Sequence, residues 1–380
     1  MKNKVMLTLS HILVAALATL LTLYATDYGK TSKLQQLSDV IEDYYVEDVD
    51  RTEVEDAAAQ GMIESLGDRW SYYIPASDYA THVEQMENAY VGVGITIQLR
   101  EDGEGLDVIA VESDGPAYEA GIRIEDRLIA AGGQSILDMS VTEVRNLVRG
   151  EEGTYVELTV VREGEEITFS VERRKLKVTV AEGKLLGDDI GLVTIYNFDD
   201  RCAEESIEAI EALREQGAQK LVFDVRNNGG GYAHEMVALL DYLLPEGELF
   251  RTVNYEGREN VDTSDADFLD LPMAVLVNAE SYSAAEFFAA ALRDYEAAVV
   301  VGEKTSGKGY FQNTFQLSDG SAVGLSTGRY YTPKGACLEG VGITPDVEVK
   351  VDEKTFAAIY YGTLEPEEDP QLQAAIQTLQ

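Results

Sequence analysis

The chain has 380 residues, of which 45% are hydrophobic, so it can hold two or three domains with sizeable cores. Its 30 basic and 69 acidic residues give a formal charge of −39, which argues against nucleic acid as a partner because such a surface repels phosphate backbones. The two cysteines, Cys202 and Cys337, lack C-x-x-C spacing, and no H-x-x-x-H pair occurs. We therefore predict no metal site, and we favour two free thiols over one disulfide.

The N-terminus is apolar. After Lys2 and Lys4, the segment from Val5 to Ala25 carries no charge over 21 residues, close to the ~20 that span a bilayer as a helix. The lysines favour a cytoplasmic N-terminal end, so we predict an uncleaved single-pass membrane anchor in residues 1–25 and an extracytoplasmic catalytic part. A cleaved signal peptide is the alternative, although Leu23 stands where a small residue is preferred.

Residues 26–89 have a helical pattern. Apolar side chains recur at three- and four-residue steps from Leu34 to Tyr44, which predicts a first helix. The stretch "TEVE", Thr52 to Glu55, predicts a second helix that begins with a capping box. The stretch "SDYATHVEQME" indicates a third helix, so this part forms a small helical segment.

Residues 90–174 change to short β-like runs separated by glycine-rich turns. The runs are "VGVGITIQL", "GLDVIAV", "DRLIAAGG", "YVELTVVREG" and "EITFSVER", and one short helical stretch, "SVTEVRNLVRG", lies among them. Strands at this close spacing predict a compact β-rich module of about 85 residues.

Residues 175–351 alternate between strands and amphipathic helices. Apolar runs such as "KLVFDV", "PMAVLVN" and "AAVVVG" are separated by helical stretches such as "HEMVALLDYLL" and "SAAEFFAAALRDY". This alternation predicts a largely parallel, layered sheet in an α/β multidomain chain. The acidic tail, residues 352–380, is expected to be peripheral.

The stretch "GEKTSGKG", Gly302 to Gly309, invites a comparison with a phosphate-binding loop. It reads G-x-x-x-x-G-K, but the final Ser or Thr that would bind magnesium is Gly309. A phosphate-binding loop must open a helix, whereas the following residues predict two strands joined by an Asp-Gly turn. Nucleotide binding is therefore disfavoured, and so is an enzyme that depends on a nucleotide.

A serine at the start of a helix is a candidate nucleophile. Neither G-x-S-x-G nor S-x-x-K occurs, and no histidine has a local arrangement for a triad. Ser281 and Ser283 lie between the run "AVLVN" and the helix that starts at Ala284, where the helix dipole would favour a developing negative charge. Helix capping is the plainer explanation. The loop "DVRNNGGG", Asp224 to Gly231, offers amides for an oxyanion, or is only a tight turn.

Together these stretches resemble the carboxyl-terminal processing proteases, also called tail-specific proteases. Residues 278–286 are similar to the family pattern N-x-x-S-x-S-A-S-E, and residues 302–312 are similar to G-x-K-T-x-G-K-G-x-x-Q. Residues 224–231 are similar to the third family pattern, D-x-R-x-N-x-G-G. The closing stretch "TPKGACLEGVGITPDVEV" is also similar to the family's. The resemblance covers residues ~35 to 350 and departs from the family at three positions, where proline, alanine and serine are common: Gly229, Tyr282 and Ala285.

The resemblance implies a ClpP/crotonase-like protease core with a serine-lysine dyad and no cofactor. Ser283 would be the nucleophile, Lys308 the general base and Gln312 the residue that orients the base. The oxyanion donors would be the amides of Ala284 and of Gly230 or Gly231, two alternatives that stay open. A free lysine has a pKa near ~10.4, so Lys308 would have to lose about three pH units through burial to act at pH 7.

The β-rich module resembles a PDZ domain. The stretch "SDGPAYEAGIRIEDRLIAAGGQSI" is similar to the PDZ signature, with Glu125 where glycine is usual, and Val91, Gly92, Val93, Gly94 and Ile95 fall on the loop that grips a peptide carboxylate. The resemblance implies an extracytoplasmic serine endopeptidase that binds protein C-terminal tails and cleaves near them. A PDZ module used only for regulation or packing, and a catalytically silent peptide-binding scaffold, are the alternatives. A homodimer through the helical N-terminal part is also implied.

Overall fold

The computed structural model describes residues 18–19, 32–100 and 105–380. These residues form two compact units. The first contains the described residues up to Ala76 together with Thr314–Leu325, and the second contains Ser77–Asn313 and Ser326–Gln380. The predicted membrane anchor falls outside the described residues except for Ala18 and Thr19. In the described ranges, no helix has both the length and the apolar character that a membrane span requires.

The first unit is built on two helices, α1 (Lys33–Tyr44) and α2 (Arg51–Glu64). Its strand β1 (Tyr72–Ile74) pairs antiparallel with the part of β18 (Ala322–Tyr331) that runs from Ala322 to Gly324. The prediction that Thr52 begins α2 with a capping box is wrong. The cap of α2 is Asp50, whose carboxylate accepts the Thr52 N–H, because an aspartate two residues earlier already satisfies the free amides of the first turn.

The β-rich module lies in the second unit, after helix α3 (Ala76–Met86). Its main path is β3-β4-β5-β7-β8, antiparallel throughout, with β6 beside β5. These strands are β3 (Ile95–Leu99), β4 (Leu106–Val111), β5 (Arg127–Ala131), β6 (Gln134–Ser135), β7 (Tyr155–Arg162) and β8 (Glu165–Glu172), and the helices are α4 (Pro116–Ala120) and α5 (Val141–Val148). The apolar faces enclose a separate core around residues such as Leu128, Leu158 and Val160.

A short ribbon brings the two ends of this module together. Strand β2 (Ala89–Gly92) pairs antiparallel with β9 (Arg174–Lys177). The ribbon is separate from the module's own sheet. The chain therefore enters and leaves the module at nearly the same place, as an inserted domain does.

The layered sheet has the order β10-β11-β12-β15-β16-β19. Its strands are β10 (Ala181–Leu186), β11 (Ile190–Ile195), β12 (Lys220–Asp224), β15 (Met273–Val277), β16 (Ala298–Gly302) and β19 (Val347–Glu348). All neighbours are parallel except β10, which forms an antiparallel edge. The largely parallel sheet predicted from the sequence is confirmed, and its central strand β15 is buried at every position.

Helices cover both faces of this sheet. On one face α6 (Cys202–Glu215), α7 (Ala233–Leu243) and α8 (Ala284–Asp294) contribute to the largest core, in which the rings of Phe198 and Phe223 pack against Phe288. Both cysteines are free, as predicted, and Cys202 is buried at the start of α6. Helix α8 is buried from Ala284 to Leu292, so its N-terminus is fixed by packing on all sides.

The acidic tail is part of the fold, and the prediction that it is peripheral is wrong. After α9 (Glu353–Tyr360) and a short 3₁₀ turn (Pro366–Glu368), helix α10 (Pro370–Thr378) packs on the second face of the sheet. Leu372 and Ala375 are buried there against Val222 and Leu276. The tail could not be placed from its composition because its few apolar residues, rather than its many charges, meet the sheet.

Four further strands complete the second half of the chain. They are β13 (Gly247–Asn254), β14 (Glu259–Ser264), β17 (Tyr310–Gln316) and β18, and β13 pairs antiparallel with β14 and with the Gly328–Tyr331 part of β18. The loop that ends at Gly309 leads directly into β17. A strand at this point argues against a phosphate-binding loop, which must be followed by a helix.

Candidate active site

The strands β12, β15 and β16 are parallel, so their carboxyl ends meet at one edge of the sheet. The glycine-rich loop follows β12, the stretch with Ser281 and Ser283 follows β15, and the stretch with Lys308 follows β16. The three motifs singled out in the sequence therefore converge because their strands are both parallel and adjacent in the sheet. Such an edge is where open α/β sheets place their binding sites.

Ser283 occupies a sharp turn between β15 and α8. Its backbone has φ 60° and ψ −127°, a conformation that side chains other than glycine rarely adopt. Strain of this kind costs about 1–3 kcal/mol and is typically found at functional positions. Ser283 is 6% exposed and directly precedes the first residue of α8, so its side chain lies beside the positive end of a buried helix.

Ser281, the other candidate, has a structural role. It is 0% exposed, and its hydroxyl donates to the Val225 carbonyl oxygen at 2.7 Å and accepts the Asn278 N–H at 3.0 Å. Asn278 and Asn227 exchange two bonds: the Asn278 amide donates to Asn227 Oδ1 at 2.8 Å, and the Asn227 N–H donates to Asn278 Oδ1 at 3.0 Å. Ser281 therefore fastens the nucleophile turn to the glycine-rich loop.

The glycine-rich loop touches the nucleophile turn so closely that side chains are excluded. A Cβ at position 230 would lie 2.6 Å from the Cβ of Ser283 and 2.9 Å from the Ala284 nitrogen. A Cβ at position 231 would lie 2.3 Å from the carbonyl carbon of Phe198. Both glycines also have positive φ, at 87° and 146°, so two independent reasons restrict these positions to glycine.

The hydrogen bonds of this loop distinguish its amides. The Gly230 N–H already donates to Asn228 Oδ1 at 2.8 Å. Within the part of the chain that the structure describes, the N–H groups of Gly231 and Ala284 have no acceptor. Of the two glycines that the sequence left open, Gly231 is thus the one whose amide remains available to a ligand oxygen, together with Ala284.

An acidic pair flanks the glycine-rich loop. A Cβ at position 231 would also lie 2.6 Å from the Asp199 nitrogen, so Asp199 directly borders the loop. Burial, together with repulsion from the Glu235 carboxylate, raises the pKa of Asp199 to about 7. Its Oδ1 is buried and has no hydrogen-bond partner among the described residues. The carboxyl group therefore changes its charge in the physiological range, next to the amides of the loop.

The loop that carries Lys308 is held between α8 and the closing stretch. Thr305 exchanges hydrogen bonds with Ile343, and the Gly309 N–H donates to Glu339 Oε2 at 2.8 Å. A Cβ at position 309 would lie 2.4 Å from the Glu339 nitrogen. The closing motif that the sequence resemblance pointed to thus serves to position the Lys308 loop.

Glu286 joins the two halves of the site. It is 0% exposed, and its carboxylate accepts hydrogen bonds from four donors. These are the Ser283 N–H at 3.1 Å, the Lys308 N–H at 2.8 Å, the Gly307 N–H at 2.9 Å and the Thr305 hydroxyl. Burial raises the pKa of Glu286, and the four hydrogen bonds counteract this rise by stabilising the carboxylate.

A role for Glu286 was not predicted from the sequence. A signal was present, because Ser283 and Glu286 have the S-x-x-E spacing of a capping box, in which the glutamate reaches back to the serine N–H. The contact with the Lys308 loop, in contrast, joins residues 22 positions apart. It depends on how the two loops pack and has no local pattern.

Lys308 and Gln312 lie on the side of the site formed by β17. Lys308 is half-buried, and its Nζ lies 5.9 Å from the centre of the Tyr282 ring, beside the nucleophile turn. The Gln312 amide nitrogen donates to the Tyr310 carbonyl oxygen at 3.2 Å and to the Ser326 hydroxyl at 3.0 Å. Since both its N–H groups are used, the Gln312 side chain offers its carbonyl oxygen to further donors. Lys304, the neighbouring lysine of the motif, is exposed.

Of the five residues predicted to form the carboxylate loop of the β-rich module, Val91 and Gly92 end β2, Ile95 begins β3, and only Val93 and Gly94 lie between the two strands. The Val93 carbonyl oxygen accepts the Ala117 N–H at 2.9 Å, and the Gly94 carbonyl oxygen accepts the Glu112 N–H at 3.0 Å. In the described ranges, the N–H groups of Val93 and Gly94 have no acceptor. The next strand, β3, is at the edge of its sheet. Unused amides beside an edge strand are what the capture of a peptide terminus requires.

Comparison with known families gives three matches. Residues 189–349 match peptidase family S41, residues 108–162 match the PDZ domain, and residues 16–77 match the activating protease CtpB N-terminal domain. The first match contains Ser283, Lys308 and Gln312. The three matches follow one another in the order expected for one multidomain chain.

Individual relatives agree with these matches. The chain is 32% identical over 328 residues to a probable CtpA-like serine protease from Staphylococcus aureus (strain COL), and 31% identical over 331 residues to the protein of the same name from Staphylococcus saprophyticus. The matches cover 85% and 86% of this chain but 66% of each relative, just under two thirds of its length. The solved Photosystem II D1 C-terminal processing protease is 27% identical, with a TM-score of 0.50 over 90% of this chain and 93% of that chain. The chain belongs to the carboxyl-terminal processing proteases of peptidase family S41 and carries a PDZ domain.

Proposed function

We propose that this chain is a serine endopeptidase in which Ser283 is the nucleophile and Lys308 the general base. The observation that carries this proposal is the Glu286 carboxylate, which binds the Ser283 N–H and the Lys308 N–H at the same time. One buried group thus fixes the nucleophile turn and the Lys308 loop relative to each other, as catalysis by two side chains requires.

The proposed reaction has two stages. The Ser283 hydroxyl attacks the scissile carbonyl carbon and gives its proton to Lys308, while the carbonyl oxygen becomes an oxyanion held by the Gly231 and Ala284 amides. The carbon–nitrogen bond then breaks, and the leaving amine takes the proton from Lys308. Water next attacks the acyl-enzyme, Lys308 again accepts the proton, and Ser283 recovers it as the product acid departs. Gln312 orients Lys308 through its carbonyl oxygen.

The test compares Ser283→Ala with the unmodified chain on an unstructured peptide that has an apolar C-terminus. We expect cleavage by the unmodified chain, a covalent adduct of one acyl fragment on Ser283 in mass spectrometry, and no cleavage by Ser283→Ala. Lys308→Ala should also be inactive. Equal cleavage by the unmodified chain and Ser283→Ala would exclude the dyad, and no cleavage by either would favour a silent peptide-binding scaffold.

We also propose that the PDZ domain selects substrates by their C-terminal tails. The unused amides of Val93 and Gly94 support this role. A peptide with a free C-terminal carboxylate should bind more tightly than the same peptide with a C-terminal amide, in fluorescence anisotropy with Ser283→Ala protein. Equal affinity for the two peptides would assign the PDZ domain to regulation or packing.

The proposed location is the outer side of the membrane, with an anchor in residues 1–25. The uncharged stretch from Val5 to Ala25 and the preceding lysines support it. In intact cells, a protease added outside should degrade the catalytic part while an internal marker survives. Recovery of an intact catalytic part would place it on the inner side.

A homodimer through the helical N-terminal part is supported by exposed apolar side chains on α1. Leu37, Val40 and Tyr44 are 53%, 54% and 80% exposed. A cluster of this kind on a helix is typical of an interface. Analytical ultracentrifugation should show a dimer, and Leu37→Glu with Val40→Glu should shift it to a monomer. A monomer in the unmodified chain would refute this part of the proposal.

A further inference from the structure

Tyr282 borders two parts of the candidate site, the glycine-rich loop and Lys308. The backbone N–H of Tyr282 donates to the Asn228 carbonyl oxygen at 3.1 Å, and Lys308 Nζ lies 5.9 Å from the centre of the Tyr282 ring. At its other end, the hydroxyl reaches the glycine-rich loop at Gly229. Tyr282 is half-buried and directly precedes Ser283 in the chain.

The contact with Gly229 explains why a glycine stands there. Gly229 is absent from the positive-φ positions of the chain, so its backbone does not require glycine. With the Tyr282 ring in its present position only glycine fits, because a Cβ at position 229 would lie 2.6 Å from the Tyr282 hydroxyl oxygen and 2.8 Å from the adjacent ring carbon. A side chain at 229 and the present position of the ring exclude each other. Gly229 and the position of the Tyr282 ring are therefore one structural feature.

The position of the ring relative to Lys308 indicates which side of the substrate it meets. A base that receives the serine proton passes it to the leaving amine, so the leaving group must come within reach of Lys308 Nζ. The ring lies within 6 Å of that nitrogen and next to the nucleophile. It therefore borders the space for the residue that follows the scissile bond.

We propose that Tyr282 is a specificity-determining residue: its ring limits the size of the side chain directly after the scissile bond, and Gly229 keeps the ring in place. This inference rests on the proposed function of Ser283 and Lys308. The unmodified chain should prefer glycine, alanine or serine after the scissile bond over leucine or phenylalanine. Truncation of the ring should open this space to the larger side chains.

The experiment uses the full chain and a set of peptides that differ only in the residue after the scissile bond, from glycine to phenylalanine. The peptides compete in one reaction, and mass spectrometry gives the ratios of kcat/KM. Tyr282→Ala should raise the leucine-to-alanine ratio by about 10-fold or more, since added hydrophobic groups in a pocket are discriminated by ~10–200-fold. Tyr282→Phe keeps the ring and should keep the ratio of the unmodified chain.

Gly229→Ala provides an independent variant, because its Cβ must displace the ring. It should raise the leucine-to-alanine ratio in the unmodified background and leave the ratio unchanged in Tyr282→Ala, where no ring remains to be displaced. If Tyr282→Ala folds poorly, Gly229→Ala and Tyr282→Leu can replace it, since both also change the space for the residue after the scissile bond. Thermal melting of every variant confirms that it is folded.

The inference would be overturned if the leucine-to-alanine ratio stayed the same in folded Tyr282→Ala or Tyr282→Leu and also in Gly229→Ala. If cleavage still required Ser283 in that case, the proposed function would remain intact. Cleavage that survives Ser283→Ala would overturn the proposed function itself. The two failures are therefore distinguishable in one set of reactions.

Discussion

The buried carboxylate of Glu286 provides the sharpest test of how the site is held together. Each of its two oxygens accepts two hydrogen bonds. Oε1 accepts those from Thr305 and Gly307, and Oε2 accepts those from Ser283 and Lys308. Glu286→Gln preserves the shape of the side chain but replaces one oxygen with an NH₂ group. If Oε2 is replaced, the N–H groups of Ser283 and Lys308 both lose their acceptor; if Oε1 is replaced, the Gly307 N–H loses its acceptor, whereas the Thr305 hydroxyl can turn and accept from the new group.

The magnitude follows from this count. A buried donor without a partner costs about 1–3 kcal/mol, so one or two such donors should lower the free energy of unfolding by about 1–6 kcal/mol in Glu286→Gln. Loss of the bonds to Oε2 would release both Ser283 and Lys308, and loss of a bond to Oε1 would release the Lys308 loop. In either case, the position of Lys308 relative to Ser283 should become less well fixed. A displacement of ~1 Å at a reacting centre can reduce the rate by about 100-fold, and we expect a loss in kcat/KM of that order.

The assay has two parts and one control. Unfolding in urea is measured in a Ser283→Ala background, which prevents self-cleavage, and kcat/KM is measured with the serine present. The control is Glu280→Gln, the same change at an exposed position four residues before the start of α8. Glu280→Gln should retain stability and activity. If Glu286→Gln has the same unfolding midpoint and kcat/KM as Glu280→Gln, the carboxylate does not hold the site together and the reasoning is refuted.

Three further predictions follow from other buried polar groups. Ser281→Ala should lower the free energy of unfolding by about 1–3 kcal/mol for each partner left unsatisfied, whereas Ser283→Ala should abolish cleavage with little change in melting temperature. Burial and the neighbouring Glu235 raise the pKa of Asp199 to about 7, so folding favours its neutral form. The free energy of unfolding of the unmodified chain should therefore fall as the pH rises from about 4 through about 7. Asp199→Asn should flatten this pH dependence in urea unfolding. Arg226→Leu should cost about 3–5 kcal/mol, measured by urea unfolding, because it leaves the buried carboxylate of Asp369 and the partly buried carboxylate of Asp224 without their cation.

Each of these predictions has a contrary outcome. A Ser281→Ala variant as stable as the unmodified chain would mean that its hydroxyl bonds contribute nothing net. Parallel stability curves from pH 4 to pH 8 for the unmodified chain and Asp199→Asn would show that the carboxyl does not titrate near 7. An Arg226→Leu variant with unchanged stability would show that the tail is held to the sheet by its apolar residues alone.

Much of the architecture was determined by the sequence itself. The alternation of apolar runs with amphipathic helices predicts the parallel sheet, because a strand buried on both faces must be apolar throughout and parallel strands require a crossover between them. Strand direction then brings Ser283, the glycine-rich loop and Lys308 to one edge. The resemblance of three motifs to the carboxyl-terminal processing proteases, rather than any one motif by itself, pointed to a serine and a lysine in the site.

Three features were decided only by the tertiary structure. Glu286 meets Lys308 across 22 positions, Tyr282 meets Gly229 across the site, and Arg226 meets Asp369 of the tail. Each contact joins loops or segments that are distant in sequence, so no local periodicity or capping pattern encodes it. Local patterns specify which elements form and in which direction they run. Which side chains become buried neighbours is settled when the elements pack, since each contact depends on the shape of both partners.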